Sequence, residues 1–410
     1  MTRSDVQTAT SDALEQLESD AVLAGPHELA DLIDQCATRV GASRAVAYVV
    51  DLQQHVLEPL RAPDPTADDL ALSALDVDAT LAGRAYQTQE PQVQTEGLEG
   101  SRMWFPMVSG TQRLGVLGVT LAPPEGVEPG SDLMTSLERL AVAAAALITV
   151  KQPYGDTIVR LRRSDHLGVA SELHYSILPP LSCTTHDVDV SAALEPCYEV
   201  AGDAIDYSVD EGRAQVAIFD GMGHGLQSAQ CAVFTVAAYR SARRSGLGLV
   251  EIMSSVDDAL AAGFGGELFS TSVVAELDTK TGALSWVNAG HPFPLLLRGG
   301  KVVKALEAEP RPPLGLGELL PGHEAVLGHE QLEPGDIVLL YTDGVVEARS
   351  PDGAFFGIDR LADLIRTQLA GGLSAPETMR RVVRDLLAHH EGQLTDDATL
   401  LMLQWRRLEA

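Results

Sequence analysis

The sequence predicts an α+β protein built from two domains. Its 410 residues and 43.5 kDa exceed one typical domain, which takes roughly 100–200 residues. Helical and strand patterns alternate over the first 150 residues, whereas from about residue 187 strands with carboxylates at their ends follow one another. Apolar residues make up 45% of the chain and charged residues 21%, so both domains have enough apolar material to bury a core.

The net charge excludes two classes of partner. The chain carries 58 acidic and 29 basic side chains, a formal charge of −29 that is spread over both halves. A surface this negative repels phosphate backbones and anionic lipid headgroups, so we expect neither nucleic acid nor a membrane as a partner. The first twenty residues lack the pattern of a signal peptide, and the longest apolar run, residues 141–150, is far shorter than a membrane span. We therefore expect a cytoplasmic protein.

The N-terminal elements follow from local patterns. Residues 1–20 form an acidic lead-in, either helical or frayed. Apolar residues at helical spacing predict a helix that Gly41 ends, and the next residues, 44–50, have the composition of a buried strand. The remaining predicted elements of this part are a strand over 56–60, a short helix around 80–86, a hairpin of strands 102–108 and 112–121, and a helix over 133–150.

This order of elements resembles a GAF domain, a small sensor module for ligands or proteins. The resemblance rests on LAGRAYQTQEPQVQ (81–94), WFPMVSGTQRLGVLGVTL (104–121) and the helix after them. It implies a GAF-like α/β sensor domain over residues 21–150. Three roles remain open for this domain: binding of a small-molecule or protein ligand, dimerisation, and a scaffold without a ligand.

A connecting helix is expected over residues 151–180. Apolar residues between Ile158 and Ile177 form an approximate stripe, which the charged run 160–165 interrupts, and Pro179-Pro180 ends the helix. Such a stripe is typical of a packing or dimer contact. It predicts a homodimer formed through this helix and a coupling between the two domains.

Four carboxylates lie at the ends of predicted strands in residues 181–410. They are Asp203 before a strand, Asp220 at the start of a glycine-rich turn (220–225), Asp343 after an apolar strand, and Asp396 before the last strand. The glycine-rich turn alone is explained equally well as a tight turn. Buried carboxylates need partners, and because no lysine or arginine lies beside these four, the pattern implies bound cations. Ligands that are all oxygen favour Mg²⁺ or Mn²⁺ over zinc.

The same region resembles the PPM (protein phosphatase 2C-type) serine/threonine phosphatases of bacteria, in the branch named for the stage II sporulation protein E (SpoIIE) and the RsbU regulators. The matching segments are ASELHYSILPP (170–180), EVAGDAIDY (199–207), QVAIFDGMGHG (215–225), FSTSVVAELD (269–278), LSWVNAGHPFPLLL (284–297), RPPLGLG (311–317), DIVLLYTDGVVEAR (336–349), FFGIDRL (355–361) and TDDATLLML (395–403). The resemblance implies an α-β-β-α sandwich, two antiparallel sheets between helix layers, over residues 181–410.

The resemblance also implies a centre of two divalent cations, Mn²⁺ or Mg²⁺, at one end of the sheets. The residues that match the family's metal ligands are Asp203, Asp220, Asp343 and Asp396, together with the backbone carbonyl of Gly221. Ala201 replaces a glycine that is usual before the first of these acids, which places a slightly larger residue near the site.

The expected activity is hydrolysis of phosphoserine or phosphothreonine on a protein. A hydroxide bridging the two ions attacks phosphorus in line, and no covalent intermediate on the enzyme is needed. The family implies a phosphorylated anti-anti-sigma factor as substrate, with the GAF-like domain gating the activity. Water is favoured as the proton donor, because His224 is interpreted mainly as a residue at the start of a helix and His291 mainly as a structural turn. The alternative is a catalytically weak phosphatase fold that binds and sequesters a regulator.

Overall fold

A computed structural model of the chain describes residues 3–96, 100–122, 131–195, 202–223, 225–317, 325–390 and 397–406. The chain divides into two units, Met1–Asp165 and His166–Ala410. This division falls inside the segment 151–180, where the sequence predicts a connecting helix.

The first unit contains one antiparallel sheet with helices. Its helices are α1 (Arg3–Ala21), α2 (Leu29–Val40), α3 (Ala67–Leu70), α4 (Leu81–Thr88), α5 (Asp132–Lys151) and α6 (Thr157–Leu161). Its strands are β1 (Arg44–Val50), β2 (Val56–Pro59), β3 (Leu75–Asp76), β4 (Gln92–Glu96), β5 (Gly100–Ser109) and β6 (Gln112–Leu121). The strand order in the sheet is β3-β2-β1-β6-β5-β4.

Most predicted elements of this unit are confirmed. Gly41 ends α2 as predicted, with a φ of +114° and its N–H bonded to the carbonyls of Ala37 and Thr38. The acidic lead-in is the helix α1, and it is not frayed along its length, because Leu14 and Leu17 are buried in the core shared with α2 and α5.

Helix α5 closes the core of this unit. Its buried residues include Leu137, Leu140 and Ile148, which belong to the same cluster as residues of β1, β5 and β6. The segment Asp132–Tyr154 is long and apolar enough to cross a membrane, by length and composition only. One face of this helix is packed in the core of the domain, as in the core helix of a soluble protein.

The predicted connecting helix is not continuous. Helix α6 ends at Leu161, and the next helix, α7 (Val169–Tyr175), begins after Gly168. The segment between them begins with Arg162, Arg163, Ser164 and Asp165, which offer no apolar side chain to extend the stripe, and it ends at Gly168, which is in an extended conformation. The prediction of one helix over 151–180 was wrong, so the predicted dimer contact has no continuous stripe along this segment.

The second unit contains the predicted strands and helices. Its further helices are α8 (Gly225–Arg244), α9 (Leu249–Phe264), α10 (Asp343–Val346), α11 (Ile358–Ala370) and α12 (Ala375–His389). Its strands are β7 (Ser182–Thr184), β8 (Val188–Glu195), β9 (Asp203–Asp210), β10 (Arg213–Gly221), β11 (Ser270–Asp278), β12 (Ala283–Ala289), β13 (Leu295–Arg298), β14 (Lys301–Ala305), β15 (Gly328–Gln331), β16 (Ile337–Tyr341) and β17 (Ala398–Trp405).

These strands form two antiparallel sheets. Sheet I has the order β15-β12-β11-β10-β9, and sheet II has the order β14-β13-β16-β17-β8-β7. Alternate residues of each strand point to opposite faces. In β10, Val216 and Ile218 pack in the core between the sheets, whereas Ala217 and Phe219 pack against α8 and α9.

Sheet II uses the same alternation on its own two faces. Leu401 of β17 packs in the core between the sheets, while Leu400 and Met402 pack with residues of α11 and α12. The unit therefore has four layers in the order helix, sheet, sheet, helix. This confirms the predicted α-β-β-α sandwich and, with the first unit, the α+β class.

The strand ends that carry the predicted site meet at one end of the sandwich. β9 begins at Asp203 itself, whereas the sequence predicts this residue to lie before the strand, and β10 ends beside it at Gly221. In sheet II, β16 ends at Tyr341 opposite Leu400, close to the start of β17. The residues that follow or precede these strand ends are the predicted ligands.

Candidate metal centre

Asp203 and Asp220 lie directly opposite each other on β9 and β10. Residues that are opposite in an antiparallel pair project from the same face of the sheet, and like charges in that arrangement destabilise it. Asp203 is buried, and this burial raises the pKa of its carboxyl well above the ordinary value, with the charges of Asp397 and Asp220 adding to the increase. A cation between these carboxylates would remove the penalty.

Two glycines allow the backbone of β9 and β10 to meet at this point. The N–H of Gly221 donates to the carbonyl of Gly202 over 3.0 Å, and a Cβ at Gly202 would lie 1.9 Å from the carbonyl oxygen of Gly221. Any side chain at position 202 would therefore push the strand ends apart. The Gly221 carbonyl accepts a hydrogen bond from Ser228 Oγ of α8 at 3.2 Å, and its second lone pair stays available for a cation.

Thr342 fixes the buried carboxylate. Its Oγ1 donates to Oδ2 of Asp203 over 2.8 Å and accepts the N–H of Thr399 at 2.9 Å. This hydroxyl therefore links the first residue of β9 in sheet I to β17 in sheet II. Thr342 was not predicted as a site residue, although it stands immediately before Asp343 in DIVLLYTDGVVEAR (336–349).

Of the other two predicted acidic ligands, Asp343 and Asp396, only Asp343 is among the described residues. Asp343 is exposed and is the first residue of α10, directly after Thr342. Asp396 lies outside the described residues, so its role as a ligand stays a prediction. The structure instead places its neighbour Asp397 in the site, where Oδ2 accepts the N–H of Asp203 at 3.3 Å. In the sequence, Asp397 is recognisable only as the second acid of the Asp396-Asp397 pair.

The donor set fits hard divalent cations. Its members are carboxylates and a backbone carbonyl, the ligand type that Mg²⁺ and Mn²⁺ prefer. Among the residues that the structure describes, no three His, Cys, Asp or Glu side chains already enclose one point as ligands. The described carboxylates therefore form an incomplete ligand set at one end of the sandwich. Asp396 is predicted to be a further ligand.

His174 holds the backbone of the same aspartate. Its Nε2 lies 2.5 Å from the carbonyl oxygen of Asp203, and because a carbonyl only accepts, Nε2 carries the proton. Burial lowers the pKa of this imidazole below the ordinary value, so it is neutral at pH 7. His174 lies in the family-like segment ASELHYSILPP (170–180), but it was not predicted as a site residue.

His291 is a structural turn, as interpreted from the sequence, and it also joins the two sheets. Its Nε2 donates to the carbonyl of Tyr341 at 3.1 Å, and its Nδ1 accepts from Thr271 Oγ1 at 2.7 Å. Asn288 closes the turn, because its Oδ1 accepts the N–H of His291 at 2.9 Å and its Nδ2 donates to the carbonyl of His291 at 2.7 Å. Thr271 is paired with Asp220, so this contact lies one residue from the site on both sheets. His224 lies outside the described residues.

Comparison with known proteins places this domain in a family. Residues 210–406 match the family model of Stage II sporulation protein E (SpoIIE). The phosphoserine phosphatase RsbU of Bacillus subtilis (strain 168) is 24% identical over 239 residues, which are 58% of this chain and 69% of that protein. The phosphoserine phosphatase RsbP of the same organism is 30% identical over 181 residues, 43% of each chain.

A further relative and a solved structure are also similar to this chain. Protein IcfG of Synechocystis sp. is 28% identical over 135 residues, 33% of this chain and 20% of that protein, so the chain spans between 20% and 69% of these three relatives. Among solved structures, the SiaA-PP2C domain of Pseudomonas aeruginosa is 23% identical with a TM-score of 0.49, covering 58% of this chain and 94% of that one. By its family match and its similarity to RsbU and RsbP, the C-terminal part of this chain is a PP2C-type phosphatase domain of the SpoIIE family.

Proposed function

We propose that this chain is a metal-dependent protein phosphatase that hydrolyses phosphoserine or phosphothreonine on a regulatory protein. The observation that carries the proposal is the cross-strand pair of Asp203 and Asp220, with the charge of Asp397 beside it and the match to phosphoserine phosphatases around it. Three acidic side chains that lie close together destabilise the fold through charge repulsion. Bound divalent cations would neutralise this repulsion and create a site for a phosphate group.

Asp203, Asp220, Asp343, Asp396 and the Gly221 carbonyl would hold two cations, Mn²⁺ or Mg²⁺. When bound, such ions polarise phosphoryl oxygens and lower the pKa of water toward neutrality. The chain's own contribution is orientation: Thr342 fixes the carboxylate of Asp203, and His174 fixes the backbone of that residue. Preset ligands need no rearrangement when the phosphoryl group reacts.

Water is the proposed source of the proton for the leaving serine oxygen. Both described histidines near the site donate Nε2–H to backbone carbonyls, His174 to Asp203 and His291 to Tyr341. Burial also lowers the pKa of each imidazole, so neither is charged at pH 7. Because neither side chain is an imidazolium at pH 7 and each Nε2–H already bonds a carbonyl, neither histidine can supply an acidic proton to a leaving group.

The proposed substrate is a phosphorylated protein of the anti-anti-sigma type, in a partner-switching system of the cytoplasm. Two relatives carry the name phosphoserine phosphatase, which supports the phosphoserine part of this proposal. The type of protein substrate rests on the family resemblance alone.

Metal removal and one substitution test the activity. We expect the chain to release phosphate from p-nitrophenyl phosphate and from a phosphoserine protein in Mn²⁺ or Mg²⁺, and to release none in EDTA. Asp343→Asn removes an anionic ligand and should reduce turnover by about 100-fold or more, since an ion contributes several kcal/mol to the transition state. A wild-type chain as inactive as Asp343→Asn, with both binding the phosphoprotein, would instead support the sequestering module.

The N-terminal GAF-like domain is proposed to gate this activity through α7. This helix begins four residues after Asp165, the last residue of the first unit, and its His174 bonds to the first residue of β9. A shift of α7 would therefore move the backbone of Asp203, a proposed ligand. A ligand of the GAF-like domain, small molecule or protein, is the proposed input.

His174→Ala should raise the Mn²⁺ concentration needed for half-maximal activity by roughly tenfold. The variant leaves the carbonyl of Asp203 unpaired, and a lost hydrogen bond of this kind costs about 1–3 kcal/mol. His174→Gln is the matched control, because its amide N–H can donate to the same carbonyl. A titration of activity against Mn²⁺ checks this, and equal values for the Ala and Gln variants would contradict it.

Removal of residues 1–150 tests the gating in the same assay. Turnover or the half-maximal Mn²⁺ concentration should change in the shortened chain. If both stay as in the full chain, the N-terminal unit does not regulate the phosphatase.

A further inference from the structure

A cavity lined by arginines lies in the second unit, at the end of β9 opposite the candidate metal centre. It encloses about 420 Å³, which is within the range of small-molecule sites. Asp203 and Asp210 are the two end residues of β9, so roughly 20 Å of strand separates the cavity from the metal centre. The arginines come from β10 and from the last turn of α8: Arg213, Arg243 and Arg244.

The cavity has the opposite sign of charge to the chain as a whole. Among the described residues that line it, Asp210 is the only acid, and Ser208 Oγ donates to that carboxylate over 2.7 Å. The chain carries a net charge of −29, but at physiological ionic strength salt screens charges beyond about 8 Å. A small ion inside the cavity therefore interacts mainly with the arginines around it.

A buried aspartate beside the cavity uses only part of the available donors. Asp206 accepts from Nη2 of Arg240 at 2.8 Å and from Nη2 of Arg243 at 2.9 Å, and these two arginines neutralise it. The Nε–H of Arg243 is buried and has no hydrogen-bond partner among the described residues. Asp206 therefore does not satisfy the whole guanidinium of Arg243.

Arg244 and Arg213 are the more available arginines. Arg244 is exposed, and its side chain makes no ion pair or hydrogen bond with any residue that the structure describes. Arg213 is 49% exposed, and its Nη1 lies 3.4 Å from Oε2 of Glu276, in a surface pair of the kind that contributes little stability. Both side chains can therefore turn toward an anion at small cost.

The end of α8 explains only part of this cluster. Basic residues in the last turn of a helix are favoured by its dipole, which accounts for Arg243 and Arg244. It does not account for Arg213, which lies on β10 and brings a third guanidinium to the same cavity. Three guanidinium groups around one space are the donor set that proteins use for oxyanions.

We propose that this cavity binds the phosphate group of a small ligand. Guanidinium groups match the geometry of phosphate oxygens and stay charged at any physiological pH. Nucleic acids and lipid surfaces carry the same group, but a polyanion of that size would meet the acidic surface of the whole chain. A small ligand enters the cavity alone and avoids that repulsion.

The size of the cavity favours a phosphate monoester over free phosphate. A phosphate ion has five non-hydrogen atoms. At about 30 Å³ per atom, the volume of a water molecule in the liquid, it would fill roughly a third of the space. We therefore expect a small organic group to be attached to the phosphate.

Calorimetric titration of the full chain with phenyl phosphate in EDTA tests the cavity. The wild type should bind one equivalent. Arg244→Gln should lower the affinity by about tenfold, because it removes a charge-assisted hydrogen bond, and Arg213→Gln combined with Arg244→Gln should lower it by about 100-fold. Because EDTA removes the cations that could hold phosphate at the metal centre, the result does not depend on the proposed phosphatase activity.

Arg366→Gln is the matched control for the loss of one positive charge. Arg366 is an exposed arginine on α11 of the same unit, where it pairs with Asp363 at 3.0 Å, and its replacement should leave the affinity unchanged. Since Arg244 is exposed and makes no ion pair with the described part of the chain, Arg244→Gln should keep the wild-type melting temperature.

Inorganic phosphate as a second probe identifies the source of the phosphate group. Tighter binding of phenyl phosphate would assign the cavity to a small monoester, and equal affinities would assign it to free phosphate. A wild type that binds neither probe at millimolar concentration would overturn the proposal. So would binding that the double variant leaves unchanged, or an equal loss of affinity in Arg366→Gln, because the cavity would then not be the site.

Discussion

Replacing Asp220 by asparagine should reduce phosphatase turnover by about 1,000-fold or more and should make the metal-free protein more stable. Activity falls because the change removes an anionic ligand that is proposed to hold a cation. Stability rises because Asp220 lies opposite the buried Asp203 and adds to the increase in its pKa. A neutral amide at this position removes the like-charge repulsion.

The gain in stability should be about 1 kcal/mol, or roughly 2–4 °C in melting temperature for a unit of this size. Melting curves in EDTA and in Mn²⁺ measure it: the wild type should gain much more from Mn²⁺ than Asp220→Asn does. Asp210→Asn is the control, because Asp210 is an exposed carboxylate at the other end of β9. An Asp220→Asn variant that keeps its turnover, or that melts lower than wild type in EDTA, would contradict the proposed site.

The acids at strand ends were predictable because the pattern that carries them is local. An apolar strand followed by an acid and glycine is visible in five or six consecutive residues, as at Asp220 and Asp343. The family resemblance then supplied the four-layer architecture. What the local pattern could not show is that Asp203 begins β9 itself, because that depends on pairing with β10.

The side chains that hold the site were missed for the same physical reason. Thr342 bonds to a carboxylate 139 residues away, Asp397 to a backbone N–H 194 residues away, and His174 to a carbonyl 29 residues away. Each role exists only after the sheets and α7 have packed, so no window of sequence contains it. The prediction of one connecting helix failed in the opposite way, because it relied on a local pattern alone. The apolar stripe was extended across a charged run, and the structure is not helical there.

His291→Gln should make the protein less sensitive to acid. Burial lowers the pKa of His291 to about 3, from 6.5 for the free side chain, because neither Thr271 nor the Tyr341 carbonyl offers a charge to the imidazolium. Between these two values the unfolded chain binds a proton that the folded chain does not. Stability from this residue is therefore complete above pH 6.5 and decreases as the pH falls toward 3.

Urea unfolding of the metal-free chain at pH 7 and at pH 5 measures this difference. From pH 7 to pH 5 the wild type should lose about 2 kcal/mol more than His291→Gln, because each pH unit well below the unfolded pKa costs about 1.4 kcal/mol per proton. Glutamine fits the position, since its amide can donate to Tyr341 and its carbonyl can accept from Thr271. His186→Gln, at an exposed position of the same unit, should follow the wild type. Equal losses in wild type and His291→Gln would mean that the imidazole is not held neutral between the two sheets.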